Sequence, residues 1–204
     1  MQSRDKPSLN GRRAGIVALA SSTGGPRALQ ELLTALPSDF PVPILVVQHL
    51  ARGYAGHLVS ALAANCRNRV KLAEHREPLA VGTIYIAPDD YHLGVADRHS
   101  IELSGAPPLE GFRPSATWLF SSVALRFSAD AVAVILSGMG KDGVAGLVEI
   151  RRAGGLIVAQ DEASSAAYGM PRAAAEANLP DFVLPLPAIA DQLIALSSGL
   201  PLVD

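Results

Sequence analysis

The sequence contains a single cysteine, Cys66, among its 204 residues. One cysteine excludes a disulfide within this sequence and fits a reducing compartment, so we expect a cytoplasmic protein. The formal net charge is only −2, which gives no general reason to expect nucleic acid binding. Apolar runs are all shorter than the roughly 20 residues needed to cross a bilayer, so membrane insertion is not expected.

The first residues also lack the features of an export signal. Residues 1–13 are polar and basic, without the apolar core of roughly 7–15 residues that a signal peptide needs. We therefore expect a flexible tail over 1–13. The whole sequence is 49% hydrophobic and 18% charged, which is typical of one compact domain. A single domain over 14–204 is the simplest organisation, and we expect a monomer.

Two kinds of binding site lack their sequence signatures. His57, His75, His92 and His99 show no metal-ligand spacing such as H-E-x-x-H, and only one cysteine could join them. No metal site is therefore predicted. The chain has neither G-x-x-x-x-G-K-S/T nor a full G-x-G-x-x-G after its first apolar run, which argues against a tightly bound nucleotide. We expect no cofactor.

Short apolar runs alternate with helical stretches along most of the chain. The runs at 16–20, 44–48 and 131–137 are predicted strands. The predicted helices are 29–36, 56–65, 117–126, 144–153, 172–177 and 189–197. This alternation indicates right-handed crossovers, and therefore an α/β fold whose doubly wound, mainly parallel sheet carries helices on both faces.

The middle of the chain predicts an antiparallel hairpin at one edge of this sheet. The segments 83–87 and 92–96 read as its two strands, joined through residues 88–91. A further run at 100–103 is expected to lie beside the hairpin as a third strand.

What the sequence does contain is a serine at the end of a buried strand. Ser22 follows the first apolar run. Gly24 and Gly25 then allow a tight reversal, and Pro26 fits the first turn of a helix. The free amides of such a helix start favour negative charge and could hold a phosphate or a developing oxyanion. Ser22 is thus a candidate nucleophile, although serines in such turns are also common as helix caps.

Two further polar residues end the other predicted strands. His49 follows the run at 44–48, and Asp142 lies in the glycine-rich segment that follows 131–137. Because chemistry in open α/β sheets gathers outside the carboxyl ends of the strands, these residues should lie with Ser22 along one edge. A histidine can take the proton of a serine, and an acid can orient the imidazole and stabilise its cation. The pattern therefore favours acyl transfer.

Several short motifs occur in one order along the chain. They are Ser21-Ser-Thr-Gly-Gly-Pro26, Val47-Gln-His-Leu50, Ile86-Ala-Pro88, Arg113-Pro-Ser115, Leu136-Ser-Gly-Met-Gly-Lys-Asp-Gly143, and Glu162-Ala-Ser164 with Gly169-Met-Pro-Arg172. Together they closely resemble the catalytic domain of the bacterial chemotaxis protein-glutamate methylesterase family, CheB. The resemblance spans residues 15–196.

The resemblance implies hydrolysis of γ-glutamyl methyl esters on the cytoplasmic helices of chemoreceptors, with deamidation of particular receptor glutamines as a second activity. Matched residue by residue, it places the nucleophile on Ser22, the base on His49 and the orienting acid on Asp142. The oxyanion stabilisers of the family fall on Thr23 and on the backbone N–H of Met139. Members of the family also carry an N-terminal receiver domain, and none is expected here because about a dozen residues precede the first predicted strand.

The sequence departs from the family pattern at three places. Ser21 stands where alanine is common, so a second hydroxyl adjoins the candidate nucleophile. After His49 the chain reads Leu50-Ala-Arg-Gly-Tyr54, where a methionine and paired prolines before the glycine are common; this bears on substrate preference more than on chemistry. Lys141 replaces a common asparagine, and its charge either lowers the pKa of Asp142 or points into solvent.

Each candidate has a structural alternative. His49 could simply bond to backbone at a strand end, and Asp142 could cap the helix that follows it. Asp89 and Asp90 are rival acids at another loop. For Arg113 and Arg172 we expect pairing with carboxylates rather than contact with an acidic receptor segment, and Glu162 is open to either interpretation. Trp118 and Phe120 are expected in the core, although Phe120 could line a cleft.

Three other functions remain open at this point. The Thr23-Gly-Gly turn could bind a nucleotide phosphate, which would make the protein a binding module. The chain could also be a catalytically silent docking module for receptors. Within the enzymes, an esterase of small molecules is the main alternative, because a Ser-His-Asp triad does not specify its acyl group.

Overall fold

A computed structural model describes residues 13–198 of the protein. Of the tail predicted over 1–13, only Arg13 is described, and its Nε donates to the Ser197 carbonyl at 3.3 Å. The rest of that prediction, residues 1–12, lies outside the described residues. Within 13–198, none of the helices has the length and apolar character needed to cross a membrane.

The core of the molecule is a parallel sheet of seven strands in the order β3-β4-β2-β1-β7-β8-β9. In chain order the strands of the structure are β1 (Ile16–Ser21), β2 (Ile44–Gln48), β3 (Arg69–Leu72), β4 (Thr83–Ile86), β5 (His92–Val95), β6 (Ile101–Ser104), β7 (Ala131–Ile135), β8 (Leu156–Gln160) and β9 (Phe182–Leu184). The chain builds the sheet outward from β1 on one side and then crosses to β7 on the other. This topology confirms the doubly wound α/β fold.

Helices cover both faces of the sheet. They are α1 (Gly25–Ala35), α2 (Ala55–Ala63), α3 (Ala116–Phe127), α4 (Val144–Arg152), α5 (Met170–Glu176) and α6 (Leu186–Ser198). One face packs on α1, α2 and α6 through strand residues such as Val17 and Leu19. The other packs on α3, α4 and α5 through Ala18 and Ala20. Because both faces are covered, β1, β2 and β7 are buried along their whole length, which explains their uninterrupted apolar sequences.

The predicted hairpin pairs different segments in the structure. Strand β4 lies inside the parallel sheet between β3 and β2, and β5 pairs antiparallel with β6 in a separate two-stranded sheet. The predicted pairing of 83–87 with 92–96 is therefore wrong, and the strand expected at 100–103 is the true partner. The reason is that β4 pairs in parallel with β2 on one side and with β3 on the other, so it has no free edge for β5.

The two-stranded sheet lies on α3. A glycine at the centre of β5 allows this contact, because a Cβ on Gly94 would lie 2.7 Å from the Ser122 hydroxyl oxygen. The Ser122 hydroxyl in turn accepts a hydrogen bond from the Val95 amide at 3.3 Å. The β5–β6 pair therefore covers the outer side of the helix whose first turn faces the candidate site.

Backbone hydrogen bonds extend the sheet beyond the ends of its central strands. The His49 amide donates to the Ser21 carbonyl at 3.0 Å, and the Ser22 amide donates to the Ser137 carbonyl at 3.0 Å. These bonds fix the first residues of three loops at the carboxyl edge, where the chain passes from β1, β2 and β7 into the following helices. The three candidate residues come from these loops.

Candidate active site

Ser22 lies in the turn between β1 and α1. Its carbonyl accepts the Gly25 amide at 2.8 Å and the Gln48 side-chain amide at 2.8 Å. The turn requires both glycines. Gly24 has a left-handed φ of 79°, and a Cβ on Gly25 would lie 1.9 Å from the Gln48 side-chain oxygen. The backbone of Ser22 is thus held on both sides, while its side chain is half-buried at the surface of the edge.

The neighbouring Ser21 points into the protein. It is fully buried, and its hydroxyl donates to the Gln48 side-chain oxygen at 2.6 Å. The amide nitrogen of Gln48 donates to the Ser22 carbonyl and, at 2.9 Å, to the His49 carbonyl. Gln48 therefore ties the ends of β1 and β2 together. Of the two adjacent hydroxyls, only that of Ser22 is accessible from the site.

His49 is oriented by an acid and an aromatic ring. Its Nε2 lies 2.9 Å from Asp142 Oδ2, and its ring stacks on Phe112 with centroids 4.2 Å apart and an interplanar angle of 11°. The other ring nitrogen, Nδ1, is buried and has no hydrogen-bond partner within residues 13–198. Because Nε2 faces the carboxylate, Nδ1 is the nitrogen free to accept a proton.

Asp142 is buried and accepts four hydrogen bonds. Oδ1 receives the Ser115 hydroxyl at 2.8 Å and the Thr117 amide at 3.1 Å, while Oδ2 receives the Ala116 amide at 2.7 Å in addition to His49. Burial alone would raise the pKa of Asp142. The hydrogen bonds from His49, the two backbone amides and Ser115 outweigh burial and hold that pKa below its ordinary value. The carboxylate is therefore ionised at neutral pH.

The alternative interpretation of Asp142 as a cap of the following helix is wrong. The N-cap of α4 is Gly143, and it makes no side-chain capping bond. The carboxylate instead meets the first amides of α3, where the positive end of the helix dipole favours negative charge. Lys141 is exposed and points into solvent, and it is not among the groups that lower the pKa of Asp142.

Asp89 and Asp90, the other candidate acids, bind a different loop. Asp89 accepts the Gly53 amide at 3.1 Å, and Asp90 pairs with Arg52 at 2.8 Å. Both carboxylates thus hold the 51–54 segment, which is the segment that departs from the family pattern. Neither of them contacts His49 in the described structure, whereas Asp142 does.

Donors for an oxyanion lie beside Ser22. Gly138 packs so closely on the serine that an added Cβ would lie 2.9 Å from Ser22 Cβ, and the next amide is that of Met139. Among residues 13–198, the amides of Met139 and Thr23 have no hydrogen-bond partner. The peptide that carries the Thr23 amide is held through its Ser22 carbonyl, and the Ser137 hydroxyl donates to the Thr23 carbonyl of the next peptide at 2.8 Å. The side chains of both residues are exposed.

The chain is similar to proteins of a known family. The model of a family described as CheB methylesterase matches residues 17–193. The chain belongs to the CheB methylesterase family. It is 52% identical to protein-glutamate methylesterase/protein-glutamine glutaminase 4 of Myxococcus xanthus (strain DK1622), over 92% of this chain and 53% of the relative.

Other members of the CheB family extend the comparison. The protein-glutamate methylesterase/protein-glutamine glutaminase of the group 3 operon of Rhizobium meliloti (strain 1021) is 44% identical, over 96% of this chain and 55% of the relative. The crystal structure of the Thermotoga maritima CheB methylesterase catalytic domain superposes with a TM-score of 0.88 at 36% identity, covering 90% of this chain and 98% of that one. This chain thus spans about half the length of the curated relatives it matches.

Two arginines of the CheB-like motifs have structural roles. Arg172 pairs with Glu162 at 3.2 Å on the surface, as the sequence suggested. Arg113 donates to the carbonyls of Gly105 and Ala106 at 3.2 and 3.0 Å and so ties down the loop before α3. Its distance to the nearest carboxylate, that of Asp90, is 4.0 Å, which makes this pairing weak.

Four residues of the site were missed from the sequence. Phe112 stacks on His49, Ser115 holds Asp142, Gln48 joins two strand ends, and His92 contacts Ser115. Gln48 and Ser115 belong to the matched motifs, and Phe112 immediately precedes one of them, so position in these motifs was the available signal. Phe120 is fully buried in the core as expected, whereas Trp118 is half-buried and stacks on His92.

Proposed function

We propose that this domain is a serine hydrolase that removes methyl esters from glutamyl side chains of chemoreceptors. The observation that carries the proposal is the orientation of the His49 ring. Asp142 holds this ring through Nε2, and Nδ1 has no partner among the described residues. His49 follows β2 and Ser22 follows β1, and these two strands are neighbours in the sheet. Membership of the CheB family supplies the substrate class. The names of the relatives support a second activity, the deamidation of receptor glutamines.

In the first step, the Ser22 hydroxyl oxygen attacks the ester carbonyl. Nδ1 of His49 accepts the hydroxyl proton, because a neutral serine is a poor nucleophile. The ionised carboxylate of Asp142 stabilises the imidazolium that results. The negative charge that develops on the carbonyl oxygen is stabilised by the free amides of Met139 and Thr23, with the Thr23 hydroxyl as a further donor.

The second half of the reaction reverses these proton transfers. His49 gives its proton to the leaving oxygen, and the C–O bond breaks to release methanol and leave an acyl-enzyme on Ser22. Nδ1 then takes a proton from water, whose oxygen attacks the acyl carbon. Collapse of this intermediate releases the glutamate side chain and returns the proton to Ser22. With a glutamine substrate the same steps release ammonia instead of methanol.

The partners of the reaction follow from the same proposal. The substrate segment is a helix of a chemoreceptor cytoplasmic domain, which places the enzyme in the cytoplasm. The site is open along the carboxyl edge of the sheet, where the exposed side chains of Tyr54, Tyr91 and Met139 lie in three different loops. A monomer needs no second copy to complete the triad, because one chain supplies all three residues.

Methanol release from methyl-esterified chemoreceptor cytoplasmic fragments tests this function. The wild type should release methanol, and the Ser22→Ala variant should not. Hydrolysis of simple esters through Ser22 without activity on receptors would instead favour the small-molecule esterase. If no ester turns over, the docking module becomes the better interpretation.

A further inference from the structure

A second histidine lies buried behind the acid of the candidate triad. His92, the first residue of β5, has no exposed surface, and its ring stacks on Trp118 with centroids 4.7 Å apart and an interplanar angle of 15°. His92 takes no part in the proposed proton transfers. Its position on the two-stranded sheet places it against the first turn of α3.

Both ring nitrogens of His92 have partners, and these partners fix its tautomer. The Ser115 amide lies 3.3 Å from Nδ1, and the Pro107 carbonyl lies 3.1 Å from Nε2. An amide can only donate and a carbonyl can only accept. The partners therefore assign a proton to Nε2 and the accepting lone pair to Nδ1.

His49 is held by Asp142 and by Phe112, and each partner of His92 lies in a segment that carries or contacts one of these two side chains. Ser115 donates its hydroxyl to Asp142 and begins the turn whose next two amides bind the same carboxylate. Pro107 lies in the loop between β6 and α3, and this loop also carries Phe112, which stacks on the His49 ring. The buried imidazole of His92 thus forms hydrogen bonds both to the turn that binds Asp142 and to the loop that carries Phe112.

We propose that His92 is a positioning residue for the reaction, holding the Ser115 turn and the Phe112 loop in the geometry that orients the Asp142–His49 pair. The inference rests on the proposed hydrolase function. An apolar ring of similar size could also pack on Trp118. It would leave the Ser115 amide and the Pro107 carbonyl without partners, so packing alone does not require histidine here.

Replacing His92 by asparagine or by glutamine tests its two hydrogen bonds one at a time. In His92→Asn the side-chain oxygen can take the place of Nδ1 and accept from Ser115. In His92→Gln the side-chain amide can take the place of Nε2 and donate to Pro107. His92→Phe keeps a ring and makes neither bond. Both amide variants lose the stacking on Trp118, so their thermal unfolding midpoints should fall by similar amounts.

Steady-state hydrolysis of para-nitrophenyl acetate provides the first readout. We expect kcat to fall by on the order of 10- to 100-fold in His92→Phe and His92→Gln, and by only about 3-fold in His92→Asn. KM should stay within about 2-fold in all three, because a buried residue cannot contact the substrate. Equal kcat values for the two amide variants, or values that follow the unfolding midpoints alone, would overturn the proposal.

A second readout does not depend on turnover. The proton on His49 Nε2, shared with Asp142, should give a low-field proton resonance in the wild type and in His92→Asn. It should broaden or vanish in His92→Phe, although that variant stays folded. An unchanged resonance there would refute the positioning role even if the protein hydrolysed no ester. Loss of ester hydrolysis in the wild type, with the resonance behaving as expected, would reject the hydrolase function instead.

Discussion

The two halves of the candidate site are built in opposite ways. On the acid side, Asp142 is buried and receives four hydrogen bonds, so its carboxylate is fixed and fully satisfied. On the serine side, Ser22 is half-buried, His49 Nδ1 has no partner, and the Met139 amide has none, as far as residues 13–198 show.

This difference separates support from chemistry. Buried polar groups are normally paired, and each exception calls for an explanation. On the acid side a missing partner would cost stability and would loosen the hold of Asp142 on His49. On the serine side the free groups are those that the proposed acyl transfer would use to accept a proton and to stabilise a negative charge. In the proposed reaction the satisfied half holds the base in place, and the unsatisfied half reacts.

The largest effect is expected from removing the nucleophile on the serine side. Ser22→Ala should lower kcat for ester hydrolysis by roughly a million-fold, because it removes the proposed nucleophile. Hydrolysis of para-nitrophenyl acetate measures this. Ser21→Ala is the matched control and should keep kcat within about 3-fold, because the hydroxyl of Ser21 binds Gln48 inside the protein. A large loss in the control alone would reverse the assignment.

On the acid side, Asp142→Asn should lower kcat by about 10,000-fold. The neutral amide cannot stabilise the imidazolium, and its NH2 group would face donors such as the Ala116 amide. The same assay applies, with Asp89→Asn as the control, because Asp89 only holds the Gly53 amide. Comparable losses in both variants would show that the acid of the triad is misassigned.

A backbone change tests how tightly the serine side is packed. Gly138→Ala would bring a Cβ within 2.9 Å of Ser22 Cβ and 2.3 Å of Met170 Sδ, so Ser22 must shift. We expect kcat to fall by on the order of 100-fold. Gly56→Ala is the control, since the space around Gly56 is open to a distance of 4 Å. Equal activity of the two variants would argue against a site that depends on this close contact.

A smaller effect should separate stability from activity at Ser21. Ser21→Ala leaves the Gln48 oxygen without its hydroxyl donor in a buried position. The free energy of unfolding should therefore fall by about 1–3 kcal/mol, while kcat changes little. Urea denaturation gives the first quantity. An unchanged stability would mean that Gln48 holds the strand ends without help from this hydroxyl.

The last prediction concerns the dependence of stability on pH. Because the pKa of Asp142 is lower in the folded state, its ionised form stabilises the fold above its ordinary pKa of about 3.9. This contribution is lost as the pH falls below about 4 and through the folded-state pKa. The difference in unfolding free energy between wild type and Asp142→Asn should therefore narrow in acid. A difference that stays constant from neutral to acidic pH would contradict the hydrogen-bonded carboxylate.

The sequence placed the candidate residues at one edge of the sheet but did not reveal their contacts. Ser22, His49 and Asp142 could be located because each follows an apolar run, and parallel strands bring their carboxyl ends to one edge. The sequence could not show that His49 turns Nε2 toward the acid. That orientation depends on the Phe112 loop and the first turn of α3, which are distant from His49 along the chain.

For the fold as well, the sequence predicted the elements better than their exact bounds and pairing. Pro26 lies in the first turn of α1, as predicted, although the helical stretch itself was predicted to begin only at residue 29. Helix α5 begins before the predicted residue 172, because Pro171 lies in its first turn. The pairing of β5 with β6 follows from the parallel pairing of β4 with both β2 and β3, a tertiary effect that alternation along the sequence does not reveal. Strand β9 has only three residues, too few for a recognisable pattern.

The most direct test of the account is to map the residue that reacts with a fluorophosphonate probe. After labelling, fragmentation of the peptide that contains Ser21 and Ser22 locates the adduct by mass spectrometry. If Ser22 is the nucleophile, the adduct lies on Ser22, is retained in Ser21→Ala and is lost in Ser22→Ala. An adduct on Ser21, or labelling that persists in Ser22→Ala, would contradict the assignment of Ser22 as the nucleophile.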